Sequence, residues 1–222
     1  MTLDDDAVRA RLERYVADGS AALLIIDVQN DFCHGEGSHG RRGADLGAVQ
    51  RIVEPVGQLL DAARPRGVPV IFVRTHHDAW SAREDSYIRE TPTGMVHHLQ
   101  PGGWGSDFYG LAPTAKDYVL VKRRYSAFFG TELEIVLRNL GVKCLIVCGV
   151  ATNVCVDTTV RDACMRDLDT IVIRDCVAAF SQEAHDAALE TMQRHFGQVV
   201  DLDAVMSALT VDAAAKTAVS AS

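Results

Sequence analysis

At 222 residues and 24.1 kDa, with a net charge of −8 and an isoelectric point near 5.4, the chain suits one medium domain with a sizeable core. It carries no dense Lys/Arg block, so nucleic acid is not expected as a partner. No apolar run approaches a membrane span and the opening Met1–Asp6 is acidic where a secretory leader would be basic, so a cytoplasmic protein without membrane association is expected.

Val8, Leu12, Tyr15 and Val16 recur at helical spacing, which predicts an amphipathic helix over residues 4–18. Ala21–Ile26 reads as a buried strand ending at Asp27. Periodicity over Val49–Ala63 predicts a helix that Gly67 stops, and Val68–Val73 reads as the second strand. From 75 to 117, His, Trp, Gly and Pro accumulate without a sustained period, an excursion of the kind that lines a site. Tyr118–Val121 is the third strand and runs out at Lys122. Thr131 and Glu134 have the spacing of a capping box, opening a helix over Thr131–Leu140 that Gly141 closes. Val142–Cys148 is the fourth strand, broken by Gly149. A helix follows from Asn153 to about Arg166. A strand at Thr170–Arg174, a helix capped by Ser181 and a strand at Gln198–Val200 complete the series.

Short apolar strands without polar alternation, separated by helices, are buried on both faces. The fold class expected is α/β: three αβα layers around a central, mostly parallel, roughly six-stranded doubly wound sheet. The expected division is an N-terminal helix over 1–19, one domain over 20–212 and a loosely ordered tail over 213–222.

In such sheets ligands bind beyond the carboxyl ends of the strands, and three reactive side chains fall there: Asp27, Lys122 and Cys155. Cys155 stands in or near the first turn of a helix, where unpaired N–H groups and the helix dipole favour a thiolate and later an oxyanion. Asp27 can take the thiol proton and return it to a leaving group, while Lys122 holds the charges together. Each residue alone also has a structural reading: a small apolar gap-filler, a helix cap, a solvated amine. The other five cysteines, Cys33, Cys144, Cys148, Cys164 and Cys176, form no Cys-x-x-Cys pair and read as reduced thiols. Cys33 beside His34 suggests a thiol–imidazole dyad, but sequence neighbours seldom make one.

With Leu-Leu-Ile-Ile-Asp-Val-Gln-Asn-Asp-Phe (23–32), Val-Lys-Arg-Arg-Tyr-Ser-Ala-Phe-Phe-Gly-Thr (121–131) and Gly-Val-Ala-Thr-Asn-Val-Cys-Val (149–156) in that order, the chain resembles the isochorismatase-like cysteine hydrolases over roughly residues 20–205. The resemblance implies an Asp27–Lys122–Cys155 triad. It also implies a non-proline cis peptide at Val150–Ala151 and an oxyanion hole at the Ala151 and Cys155 amides. It further implies a cofactor-free enzyme cleaving a C–N bond of a small N-carbamoyl, ureido or carboxamide compound through a thioester, and a homo-oligomer, dimer or tetramer.

Within that family the chain looks most like the ureidoacrylate-type enzymes; the cysteine separates it from true isochorismatases. Nicotinamidases carry an Asp-x-His metal motif after the second strand, where this chain has His77 and Ala79, so no metal is expected. His76, His77 and Asp78 leave some other metal site open. Phe32 matches the family's aromatic wall. Trp80, Arg124, Tyr125 and Phe128 lie on segments expected to face the cleft as substrate contacts, with Arg124 suited to a carboxylate and packing roles open for Tyr125 and Phe128. His97 and His98 read as loop histidines. The alternatives are nicotinamidase or isochorismatase chemistry and, from another class, a non-catalytic oligomeric binding module.

Overall fold

The computed structural model describes residues 5–78, 80 and 98–210. The expected tail over 213–222, together with Ala79 and His97, lies outside them. Six strands form one parallel sheet: β1 (Ala21–Ile26), β2 (Val70–Thr75), β3 (Tyr118–Lys122), β4 (Cys144–Val150), β5 (Asp169–Ala178) and β6 (Gln198–Val200). Their order is β3-β2-β1-β4-β5-β6. The order reverses between β1 and β4, the switch point at which such sheets open a crevice.

The helices are α1 (Asp5–Ala17), α2 (Val53–Ala63), α3 (Leu133–Asn139), α4 (Asp157–Cys164), α5 (Gln182–His195) and α6 (Leu202–Thr210), with shorter turns between them. Alternation along β1 assigns the two layers. Leu23 and Ile25 pack with Leu12 of α1, Leu59 of α2 and Leu209 of α6. Leu24 and Ile26 pack with Leu137 of α3, Val160 of α4 and Met192 of α5. β1 is apolar at every position because both faces are covered.

Several boundaries differ from the sequence reading. The helix expected over Val49–Ala63 is split into Gly47–Arg51 and α2; Pro55, which has no N–H to give, sits in the first turn of α2 where none is required. β2 starts and ends two residues later than expected, because Val68 still closes the preceding helix by donating to the Ala63 carbonyl (3.2 Å). The capping box does not form. Thr131 accepts from the Leu133 amide (3.3 Å) and donates to the Ala127 carbonyl, while Glu134 turns to Arg138 and Arg166. Ser181 does cap α5, accepting from the Ala184 amide (3.4 Å).

Gly149 is inside β4 rather than a breaker of it. Its φ is +122° and an added Cβ would stand 2.0 Å from the Ile26 carbonyl oxygen, so only glycine lets β4 run this close to the end of β1. Gly149→Ala is therefore expected to cost more than about 4 kcal/mol, read as a collapse of the denaturation midpoint or loss of soluble protein. A midpoint near that of the unchanged protein would contradict this packing.

Candidate functional site

Sheet pairing continues past β1: the Asp27 amide donates to the Val73 carbonyl at 2.9 Å, holding Asp27 at the switch point. Lys122, the last residue of the edge strand β3, is paired in register with Thr75 of β2. In parallel strands aligned residues share a face, and the long Lys122 side chain crosses Thr75 to reach Asp27. Its Nζ lies 2.7 Å from Asp27 Oδ2 and donates to Thr75 Oγ1 (2.6 Å) and the Arg124 carbonyl (3.0 Å). Thr75 in turn donates to Asp27 Oδ1 at 2.9 Å.

Beyond β4 the peptide between Val150 and Ala151 is cis. Residues Thr152–Val156 then form a π-helical turn that leads into α4 and carries Cys155. The Ala151 carbonyl accepts from the amides of Val154 (3.0 Å) and Val156 (3.2 Å) but not from that of Cys155 between them. Cys155 Sγ stands 3.5 Å from Lys122 Nζ. Three separate crossover connections thus bring a carboxylate, an amine and a sulfur together.

Burial works against the Lys122 charge, but attraction to Asp27, and then to Cys155, outweighs it and raises the ammonium above its ordinary value of 10.5. Cys155 behaves differently. Burial first, and the neighbouring Asp27 charge second, push its thiol up to about 12 against the opposing pull of Lys122. The sequence reading favoured a resting thiolate. A helix terminus supplies only about 0.3–1 kcal/mol, too little to offset desolvation at a residue 7% exposed. Burial and the Asp27 charge thus favour the thiol over the thiolate, and forming the thiolate then calls for a base.

Lys122, Ala151 and Cys155 line a cavity of about 310 Å3, the size that suits a small metabolite. Phe32, Arg124 and Tyr125, expected to face the cleft, line it as well. Two other expected contacts do not. Trp80 is 98% exposed: its amide donates to Asp78 Oδ1 (3.0 Å) in a turn pinned to Arg123, which leaves the indole in solvent. Phe128 is packed in the layer with Leu133 and Val160, and the Arg166 guanidinium lies 4.7 Å from its ring centroid; it holds the wall from behind. Cys33 is sealed in the opposite layer with its thiol pushed up to about 12 by burial, so it makes no dyad with His34.

Residues that sequence reasoning passed over, or gave other roles, complete the site; His77 was read only as part of a possible metal cluster with His76 and Asp78. Thr75 bridges lysine and carboxylate. His39, His77 and His98 all line the cavity, although His98 was expected as an ordinary loop histidine; it is 5% exposed. Asp31 fixes that wall, accepting from the Ser38 (2.9 Å) and Leu99 (2.6 Å) amides and lying 3.5 Å from His98 Nδ1. Burial would raise the Asp31 carboxyl, but these bonds together lower it to about 2. Gln29 ties the same crossover to the excursion, donating to the Thr75 (3.1 Å) and Ser106 (2.9 Å) carbonyls. The available signal was the polar run Gln29-Asn30-Asp31 two residues beyond Ile26, the end of an apolar strand, too costly to bury unless it organises something. Among the described residues no group of three or more His, Cys, Asp or Glu side chains is arranged to hold a metal ion, and no helix is long and apolar enough to cross a membrane.

Residues 21–204 match the isochorismatase domain. A protein named ureidoacrylate amidohydrolase RutB from Serratia proteamaculans is 33% identical over 208 residues, covering 87% of this chain and 84% of its own. The structure of an isochorismatase family protein from Desulfovibrio vulgaris superposes with a TM-score of 0.74 at 30% identity, covering 86% of this chain and 98% of that one. That of N-carbamoylsarcosine amidase from Thermoplasma acidophilum gives 0.67 at 30% identity, covering 83% and 97%.

Proposed function

We propose, from the premise that the chain belongs to the isochorismatase family and is a hydrolase of non-peptide C–N bonds, that it cleaves the ureido or carbamoyl group of a small acid, with Cys155 as nucleophile. The observation that carries this reading is Lys122 Nζ lying 2.7 Å from Asp27 and 3.5 Å from Cys155 Sγ at the edge of a cavity of about 310 Å3. The names of the Serratia amidohydrolase and the Thermoplasma amidase point to the same bond class.

In the proposed reaction Asp27 takes the Cys155 proton as sulfur attacks the carbonyl carbon. A protonated resting thiol requires such a base. The Ala151 and Cys155 amides receive the developing oxyanion. Asp27 returns the proton to the leaving nitrogen, ammonia departs and the substituted carbamoyl group stays on sulfur as a thiocarbamate, the ureide's form of the thioester. Asp27 then draws a proton from water, hydroxide adds to the thioester, and the thiolate leaves and is reprotonated. Lys122 keeps the carboxylate and the transient thiolate neutralised throughout, and Arg124 at the cavity wall suits a substrate carboxylate.

The reading extends to a cytoplasmic, oligomeric enzyme; all six cysteines being free fits a reducing compartment. Incubation with 3-ureidopropionate is expected to release one ammonia per molecule consumed, with an acyl adduct on Cys155 caught by acid quench and mass spectrometry. Substrate consumption without an adduct on Cys155, or no ammonia from a panel of small ureides and amides, would refute it.

A further inference from the structure

The π-helical turn that carries Cys155 is held by a second side chain besides the cysteine. Thr152, the first residue of the turn, is fully buried, and its Oγ1 lies 2.9 Å from His185 Nδ1 on α5. His185 stands one turn into that helix, its amide donating to the Ser181 carbonyl at 3.0 Å. Phe180 and Ser181, at the entry to α5, line the cavity together with Ala151 and Cys155. One helix therefore walls the cavity and grips the turn.

Within the turn the Ala151 carbonyl accepts from the Val154 and Val156 amides, and the Thr152 carbonyl accepts from the Asp157 amide. Those bonds fix the shape of the turn but not its angle to the neighbouring helix. Val156 packs among apolar residues of the layer, with Val154 against them, and apolar contact has no preferred direction. A hydrogen bond has one. A hydroxyl buried this deeply costs free energy unless it is paired, and valine would fill nearly the same space without that cost. What the hydroxyl adds is orientation. Burial lowers the His185 imidazole below its ordinary value of 6.5, against the opposing Asp186 charge. The neutral ring can meet a hydroxyl at Nδ1 as donor or as acceptor.

Resting on the hydrolase reading above, we propose that His185 is a positioning residue: acting through Thr152, it sets the angle at which the turn presents the Cys155 sulfur and the Ala151 and Cys155 amides to the substrate carbonyl. Neither Thr152 nor His185 lines the cavity, so the pair reaches the reaction through the backbone of the turn.

Thr152→Val and His185→Leu are each expected to lower kcat by about 10- to 100-fold, the scale of a misplaced or lost oxyanion donor, for 3-ureidopropionate or whichever small ureide or amide the enzyme hydrolyses. KM is expected to stay within about threefold, because amides that meet an oxyanion act in the transition state and not on bound substrate. The double variant is expected to lose about as much as either single one. His185→Asn, whose side-chain amide puts a polar atom in the place of Nδ1, is expected to recover kcat to within about threefold of the unchanged enzyme. A residue that only supported the fold would lower Tm and the yield of folded enzyme, leaving kcat per folded molecule where it was. Unchanged kcat in folded variants, a rise in KM that accounts for the loss, losses that multiply in the double variant, or no recovery in His185→Asn overturns the proposal and leaves the hydrolase reading standing. Should Thr152→Val not fold, the half-buried His185 carries the test through its Leu and Asn variants. No turnover of any small ureide or amide by the unsubstituted enzyme overturns both.

Discussion

Cys155→Ala is expected to lower kcat by at least about 10^4, the scale of loss when a nucleophile acting as part of a unit is removed, while costing about 1 kcal/mol of stability or less. The small structural cost follows because the sulfur borders a cavity and is not packed on all sides. Cys155→Ser is expected to be inactive too, because a hydroxyl is a far poorer nucleophile and the base beside it is a carboxylate. Activity within tenfold of the unchanged enzyme in either variant would end the thioester mechanism. The state of the thiol has its own readout. With its ionisation pushed up to about 12, only a small fraction is thiolate near pH 7, and alkylation rises with pH toward that value. Iodoacetamide is therefore expected to modify the partly exposed Cys164 before Cys155 in the free enzyme. Rapid labelling of Cys155 at pH 7 would show a resting thiolate and make Asp27 unnecessary as base.

The layered sheet was legible in the sequence because burial on both faces writes itself as uninterrupted Val, Ile and Leu. The runs at Ala21, Tyr118 and Gln198 locate β1, β3 and β6 to within a residue. Strand ends also led to Asp27, Lys122 and Cys155, since an apolar run that stops at a charged or reactive side chain marks where the chain leaves the sheet. What failed were features set by a distant part of the chain. Gly149 looks like a breaker until the Ile26 carbonyl beside it is seen. Phe128 and Trp80 look alike as aromatic residues on loops near the site, yet one lies beneath Arg166 and the other in water. His98 had no local pattern at all; its place depends on Asp31, 67 positions earlier. The helix Leu202–Thr210 was not read from the sequence, although Val205, Ala208 and Leu209 carry the spacing of one buried helical face.

The Asp27–Lys122 pair yields the sharpest separation of stability from chemistry. Lys122 is 1% exposed and its partner is fully buried, so Lys122→Met strands a carboxylate and Asp27→Asn strands an ammonium. Each single change is expected to cost about 3–5 kcal/mol, a fall of roughly 10 °C in Tm for a chain of this size. The double variant removes both charges and keeps the shape, and replacing a buried pair together is often neutral or stabilising. Its Tm is therefore expected to return to within a few degrees of the unchanged protein. Activity should not follow. Asparagine cannot take the Cys155 proton and methionine cannot neutralise the sulfur, so all three variants are expected to lose at least about 10^3 in kcat, within the range that general acid–base assistance supplies. The same charges that the fold would be as stable without are the ones the reaction requires. Additive losses of stability in the double variant would mean the pair is a net support of the fold. Recovered turnover alongside recovered stability would mean that Asp27 and Lys122 hold the cavity in shape and that the proton of Cys155 leaves by another route.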